Sequence, residues 1–301
     1  MIYPPLLQKG DTVAVAAASG SCTNMAHLTQ GVKTLEAWGL NVRVMASCYA
    51  SHGTYLAGSD RLRANDLHHA FADPTIRGII MARGGYGAAR LLPLLDYDLI
   101  RKNPKVFVGF SDVTALHTAF NQICNMATFH GPMVASCLGK ENVHPFTLAA
   151  LRQGIMGDTT PQRAAALPLQ YLGAPNTPLS IKGVLTGGNL SVITSLLGTP
   201  YAIQPKKRLL FLEETNEPPY RVDRMFIQLK LSGKLREAAA IILGDFSPES
   251  QHTLEIAIRE VILPEGVPTF AGLPCGHTAA NATLNLGATY AIHVSEQGLT
   301  S

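Results

Sequence analysis

Chemistry in this chain can start at Ser111, inside the stretch Lys105-Val-Phe-Val-Gly-Phe-Ser-Asp-Val-Thr-Ala-Leu-His117. Residues 106–110 form a short apolar run of β-formers, the pattern of a strand buried on both faces. Beyond Ser111 the period changes, and Val113, Leu116 and Phe120 fall on one face of a helix over 112–122. The serine therefore sits between the carboxyl end of a buried strand and the amino end of a helix. At such turns open α/β sheets place ligands, and backbone N–H groups face developing negative charge. A hydroxyl there can be a nucleophile. It can equally be a helix N-cap, because Ser and Asp are preferred caps.

A nucleophile needs a base and an orienting acid. His117 is a poor base, lying six residues along the same helix, nearly opposite in azimuth and about 9 Å further along the axis. His130 and His277 both fall at strand-to-loop turns, and His277 is flanked by Gly276 and Thr278, which leave the backbone free to aim an imidazole. For the acid, Glu213 follows the apolar run 209–212, and a carboxylate at a buried strand end can orient a histidine. Glu214 and Glu217 could do likewise. Asp223 and Arg224 read as a helix-surface or interdomain ion pair. The Ser111 turn has the layout of a nucleophile elbow, with Asp112-Val113 in place of the second glycine. In Ala82-Arg-Gly-Gly-Tyr-Gly87 the glycines serve either a tight turn or close backbone approach to a reacting oxygen. A dinucleotide fingerprint fails there, since Arg90 stands where a small residue is required, and no Walker A sequence exists.

The elements that must position these groups alternate. Strands are expected at 12–18, 42–46, 77–83, 106–110 and 127–130. Helices are expected from about residue 25 to Gly39, over 59–72 behind a Ser59 cap, over 88–95 and over 112–122. That alternation means parallel βαβ units. The fold class expected is α/β with two domains, the first a doubly wound, flavodoxin-like parallel sheet over 1–156. Between 157 and 178 the pattern dissolves into a proline-containing stretch, read as a linker. A second domain over 179–301, α/β or a swivelling β/α unit, then carries a helix opened by Gly187-Gly188-Asn189, a strand over 208–213, a helix over 220–232 and a strand over 238–243.

With 301 residues the chain can bury two ordinary cores. A net charge of +3 without a basic block calls for neither nucleic acid nor an anionic membrane as partner. Five scattered cysteines lack ligand spacing, so neither a disulfide framework nor a zinc site is indicated, and no metal or cofactor is expected. The amino terminus lacks the basic region of a signal peptide, and no uncharged run reaches the ~18 residues that span a bilayer. A cytoplasmic protein is expected.

Taken together, GDTVAVAAASG, YLAGSDRLRANDL, MARGGYGAARLLPLLDYDLI, NPKVFVGFSDVTALH, FHGPM, LTGGNLSVITSLLGTPY, LFLEETNEPPYRVDRM and LPCGHTAANATLNLG resemble the LD-carboxypeptidase family, which includes the microcin-immunity serine peptidases. The resemblance implies a metal-independent serine peptidase with a Ser–His–Glu triad. Its nucleophile would be Ser111, its base His277 and its orienting acid Glu213. The backbone N–H groups of Gly85 and Asp112 would form the oxyanion hole, and Arg83 could hold a substrate carboxylate. It further implies a murein tetrapeptide substrate that loses D-alanine in cell-wall recycling, and a homodimer. Alternatives are cleavage of a peptidyl-nucleotide toxin and a non-catalytic α/β binding protein. Ala18, Cys275 and Asn285 depart from the family pattern away from the triad.

Overall fold

The computed structural model of the chain describes residues 1–157, 169–173, 179–248, 251–295 and 298–300. It divides into two compact units. The first is Met1–Asp158 with Ala279–Asn285, and the second is Thr159–Thr278 with Leu286–Ser301. Most of the expected linker lies outside the described residues. Gln170–Tyr171, within the same expected linker, instead forms a short strand of the second unit. The return of 279–285 to the first unit is a second difference, and it has a local cause. Thr147 Oγ1 donates to the Ala279 carbonyl at 2.6 Å and accepts from the Asn281 N–H at 2.9 Å.

The first unit holds strands β1 (Thr12–Ala16), β2 (Asn41–Val44), β3 (Ile76–Met81), β4 (Val106–Gly109) and β5 (Thr128–His130) in the order β2-β1-β3-β4-β5. All four pairings are parallel. This is the doubly wound, flavodoxin-like order, and its ligand crevice lies at the carboxyl ends of the strands. The apolar runs of β1, β3 and β4 are buried because helices cover both faces of such a sheet. Those helices are α1 (Met25–Ala37), α2 (Asp60–Ala72), α3 (Tyr97–Lys102), α4 (Thr114–Gln122) and α5 (Pro145–Met156). Asn24 caps α1 and Ser59 caps α2 with their side-chain oxygens. Residues Ala88–Leu94 form a 3-10 turn rather than an α-helix, and Pro93 inside it can supply no N–H to an α ladder.

In the second unit β7 (Leu179–Asn189), β8 (Leu209–Glu214), β9 (Ala240–Phe246) and β10 (Thr269–Ala271) run parallel. Antiparallel edges are added by β6 (Gln170–Tyr171) on one side and by β12 (Thr289–Ser295) with β13 (Gly298–Thr300) on the other. The short strand β11 (Leu284–Leu286) neighbours β5 in the other sheet. Helices α6 (Leu190–Ser195), α7 (Pro219–Leu231), α8 (Lys234–Glu237) and α9 (Gln251–Ala257) complete the unit. Residues 187–189, expected to open a helix, are the end of β7, and Asn189 caps α6 directly behind it. Gly187 is required there: a Cβ would stand 1.9 Å from the Phe211 carbonyl oxygen.

Candidate active site

In the first unit β4 delivers the chain to Ser111, which adopts φ +64°. A left-handed conformation costs an L-residue about 1–2 kcal/mol and persists only where the surroundings impose it. It also lies outside the extended region that an N-cap residue uses, so the cap reading fails for Ser111. Instead Ser111–Val113 makes a 3-10 turn that feeds α4. Two glycines make room for the turn. A Cβ on Gly109 would come 2.7 Å from Val113 Cγ1, and one on Gly84 would come 2.9 Å from Ser111 Cβ and 3.0 Å from its Oγ. A side chain at 84 would therefore cover the hydroxyl.

The remaining groups of this unit sort by burial. Gly85 is exposed with φ +119°, a backbone that suits glycine, and the Gly84 carbonyl before it accepts from the Gly20 N–H at 3.1 Å. Asp112 is buried, its Oδ2 accepts from the Ala88 N–H at 2.8 Å, and burial raises its pKa. Arg83 is half-buried and donates from Nη1 to the Ser21 carbonyl at 2.9 Å. His117 is fully buried: Nε2 meets the Gly109 carbonyl at 2.7 Å and Nδ1 meets Thr128 Oγ1 at 2.9 Å. The carbonyl can only accept, so Nε2 carries the proton, and burial drops the pKa to about 4. This histidine is a structural cross-link. His130 is also fully buried, beside the Phe110 ring at 5.7 Å between centroids.

In the second unit Glu213 and His277 meet. Glu213 Oε2 lies 2.8 Å from His277 Nδ1, with side-chain exposures of 0% and 23%. A carboxylate only accepts, so Nδ1 holds the proton and Nε2 keeps the lone pair of a base. Gly276, at φ +142°, permits the pairing. A Cβ there would fall 3.0 Å from Glu213 Oε2 and 3.2 Å from Glu213 Cβ.

The structure separates the three glutamates after β8's apolar run. Glu214 turns to α6, accepting from the Ser191 N–H at 2.7 Å, the Thr215 N–H at 2.8 Å and Asn189 Nδ2 at 3.1 Å, and burial lifts its pKa to about 7. Glu217 pairs with Arg221 at 3.3 Å. Asp223 and Arg224 form no ion pair among the described residues, and Arg224 instead lies over the Tyr220 ring at 5.8 Å. Asp245, which sequence reasoning passed over, sits where the β8–β9 register shifts, and burial raises its pKa to about 6, with the Glu213 charge adding to the shift. Its only sequence signal is an acid after the glycine that ends an apolar strand. Among the described residues no group of three or more His, Cys, Asp or Glu side chains could hold a metal ion.

A strained serine at a strand-to-helix turn in the first unit and, in the second, an imidazole held by a buried carboxylate are groups of the types that serine hydrolases use. The chain belongs to the LD-carboxypeptidase family: residues 13–131 match its N-terminal domain and residues 182–292 its C-terminal domain. Among its relatives is the probable murein peptide carboxypeptidase of Bacillus subtilis, 39% identical over 98% of this chain and 92% of that protein. The murein tetrapeptide carboxypeptidase of Pseudomonas aeruginosa is 33% identical over 93% of this chain and 92% of its own. Similar solved structures include a MccF-like protein from Bacillus anthracis, with TM-score 0.84, 27% identity and coverage of 99% and 98% of the two chains. The muramoyltetrapeptide carboxypeptidase from Oxalobacter formigenes follows at TM-score 0.81, 27% identity and coverage of 96% and 97%.

Proposed function

We propose that this protein is a serine LD-carboxypeptidase that releases the terminal D-alanine of murein tetrapeptide, working in the cytoplasm as a homodimer in peptidoglycan recycling. The observation that carries the reading is the Glu213–His277 hydrogen bond, because a fully buried carboxylate on Nδ1 prepares the opposite imidazole nitrogen as a base. In the proposed reaction Ser111 Oγ attacks the carbonyl before D-alanine while His277 Nε2 takes its proton. Glu213 stabilises the imidazolium that forms. The Gly85 and Asp112 N–H groups receive the oxyanion, and loss of one such donor typically costs about 3 kcal/mol of barrier. His277 then returns the proton to the departing amine, and the C–N bond breaks. Water, deprotonated by the same imidazole, hydrolyses the acyl-serine. Arg83 holds the terminal carboxylate of the substrate.

No helix among the described residues is long and apolar enough to cross a membrane, which suits a substrate met in solution. The test is to incubate the purified protein with murein tetrapeptide and, in parallel, with a peptidyl-nucleotide conjugate, and to follow both by mass spectrometry. Free D-alanine and the tripeptide are the expected products. An intact tetrapeptide beside a cleaved conjugate would move the protein to the immunity-type activity, and two intact substrates would remove the enzymatic reading. Sedimentation velocity tests the dimer.

A further inference from the structure

The loop after β3 is held at one peptide unit from both sides. The Gly87 carbonyl accepts from Arg63 Nη1 at 2.9 Å, and the N–H of the same peptide, on Ala88, donates to Asp112 Oδ2 at 2.8 Å. Arg63 is 1% exposed, and its guanidinium also holds the Ala18 carbonyl, two residues beyond β1, and the Asp60 carboxylate. Asp60 in turn takes Arg90 through Nε at 2.9 Å and Nη2 at 2.8 Å. Gly87, at φ +132°, is shaped for this grip, since a Cβ would stand 2.7 Å from Arg63 Nη1. At the other end of the loop the Gly84 carbonyl takes the Gly20 N–H. Only Gly85 and Tyr86 between these anchors are exposed.

A buried guanidinium is a poor choice for stability alone, because an apolar side chain of similar volume often does as well without the desolvation cost. Here two of its hydrogen bonds hold backbone carbonyls in the loops that follow β1 and β3, and the third holds Asp60 on its own helix. We propose that Arg63 and the Asp112 side chain are positioning residues that set the oxyanion site by locking the Gly87–Ala88 peptide. Asp112 thereby has two roles, its own N–H as one donor and its carboxyl group as the tether that fixes the loop bearing the other. The inference rests on Ser111 being the nucleophile and on Gly85 and Asp112 supplying the donors.

The test compares Arg63→Met, Arg63→Lys, Asp112→Ala and Asp112→Asn with wild type for kcat and KM of D-alanine release. Removing an oxyanion donor costs about 100- to 1,000-fold in kcat, so a displaced donor is expected to cost about 10- to 100-fold, with KM changed by less than about threefold. Asp112→Asn keeps an acceptor for the Ala88 N–H and is expected to recover most of the loss seen in Asp112→Ala. Arg63→Lys cannot span both carbonyls and is expected to fall with Arg63→Met. Folded Arg63→Met and Asp112→Ala proteins with kcat within about threefold of wild type would overturn the proposal, as would equal losses in Asp112→Asn and Asp112→Ala. Hydrogen exchange of the Gly85–Ala88 amides in a Ser111→Ala background tests the lock without chemistry. At least about tenfold faster exchange is expected when Arg63→Met is added, and unchanged exchange would refute the lock whatever becomes of the serine mechanism. Should Asp112→Ala fail to fold, the two Arg63 variants decide alone.

Discussion

Replacing Glu213 by Gln keeps the shape of the pair with His277 and removes its charge. With 2.8 Å between Oε2 and Nδ1 and the carboxylate fully buried, the attraction for an imidazolium is about 6 kcal/mol in an effective dielectric of about 20. That attraction is absent for neutral imidazole, so it acts on the transition state and not on the resting enzyme. A loss of that size corresponds to about 10⁴ in rate, the same order as neutralising the buried acid of a serine triad. The amide can also present its NH₂ to Nδ1, which reverses the tautomer and puts the proton on Nε2, the proposed base. Glu213→Gln is therefore expected to lose about 10⁴ in kcat with KM little changed. D-alanine release coupled to D-amino-acid oxidase gives the rates, and circular dichroism establishes that the variant is folded. Glu214→Gln is the control from the next position. Glu214 faces α6 and titrates near neutrality already, so its kcat is expected to stay within about threefold of wild type. A folded Glu213→Gln enzyme within tenfold of wild type would refute the assignment, and so would equal losses at the two positions.

Ser111→Gly removes the proposed nucleophile and also the left-handed strain at φ +64°. It is expected to be inactive yet as stable as wild type or up to about 1 kcal/mol more stable, by thermal and denaturant unfolding, whereas Ser111→Ala keeps the strain. Gly276→Ala places a methyl 3.0 Å from Glu213 Oε2, so activity should drop at least about 100-fold while the first unit melts unchanged in calorimetry. Arg83→Met is expected to raise KM about 10- to 100-fold and to leave kcat nearly unchanged, and an unaltered KM would remove Arg83 from the substrate site. Buried His117 has its pKa lowered from the usual 6.5 to about 4, so the folded state holds it neutral while the unfolded chain binds a proton. Its stabilisation is complete above pH 6.5 and is lost as pH falls towards 4, by about 3 kcal/mol at most. Urea midpoints at pH 7 and 4.5 should show that slope in wild type and a flatter one in His117→Gln.

Much of the first unit was legible in the sequence because its strands are apolar runs bounded by glycine, and β1, β3 and β4 are buried on both faces. The change of period at Ser111 located the turn, although only the backbone shows φ +64° and dismisses the cap. The Glu213–His277 pair could be nominated but not assembled, since three acids stand within five residues and nothing local distinguishes them. What distinguishes them is long-range: Gly276 clears space for Glu213, while the amino end of α6 attracts Glu214. Strand β7 was missed although Leu179-Ser-Ile-Lys182 alternates apolar and polar residues as a half-buried strand does, because Gly183, Gly187 and Gly188 interrupt the run and weaken the strand signal. Arg63 was invisible too. In SDRLRANDL it reads as one more polar residue of a surface helix, and only the fold shows the guanidinium buried on two carbonyls.

Ser111→Ala tests the proposed nucleophile most directly, assayed for D-alanine released from murein tetrapeptide and checked for an unchanged fold. Release is expected to fall by at least about 10⁴, to the residue left by binding and the oxyanion donors alone. A folded Ser111→Ala protein that trims the tetrapeptide at the wild-type rate would contradict that role.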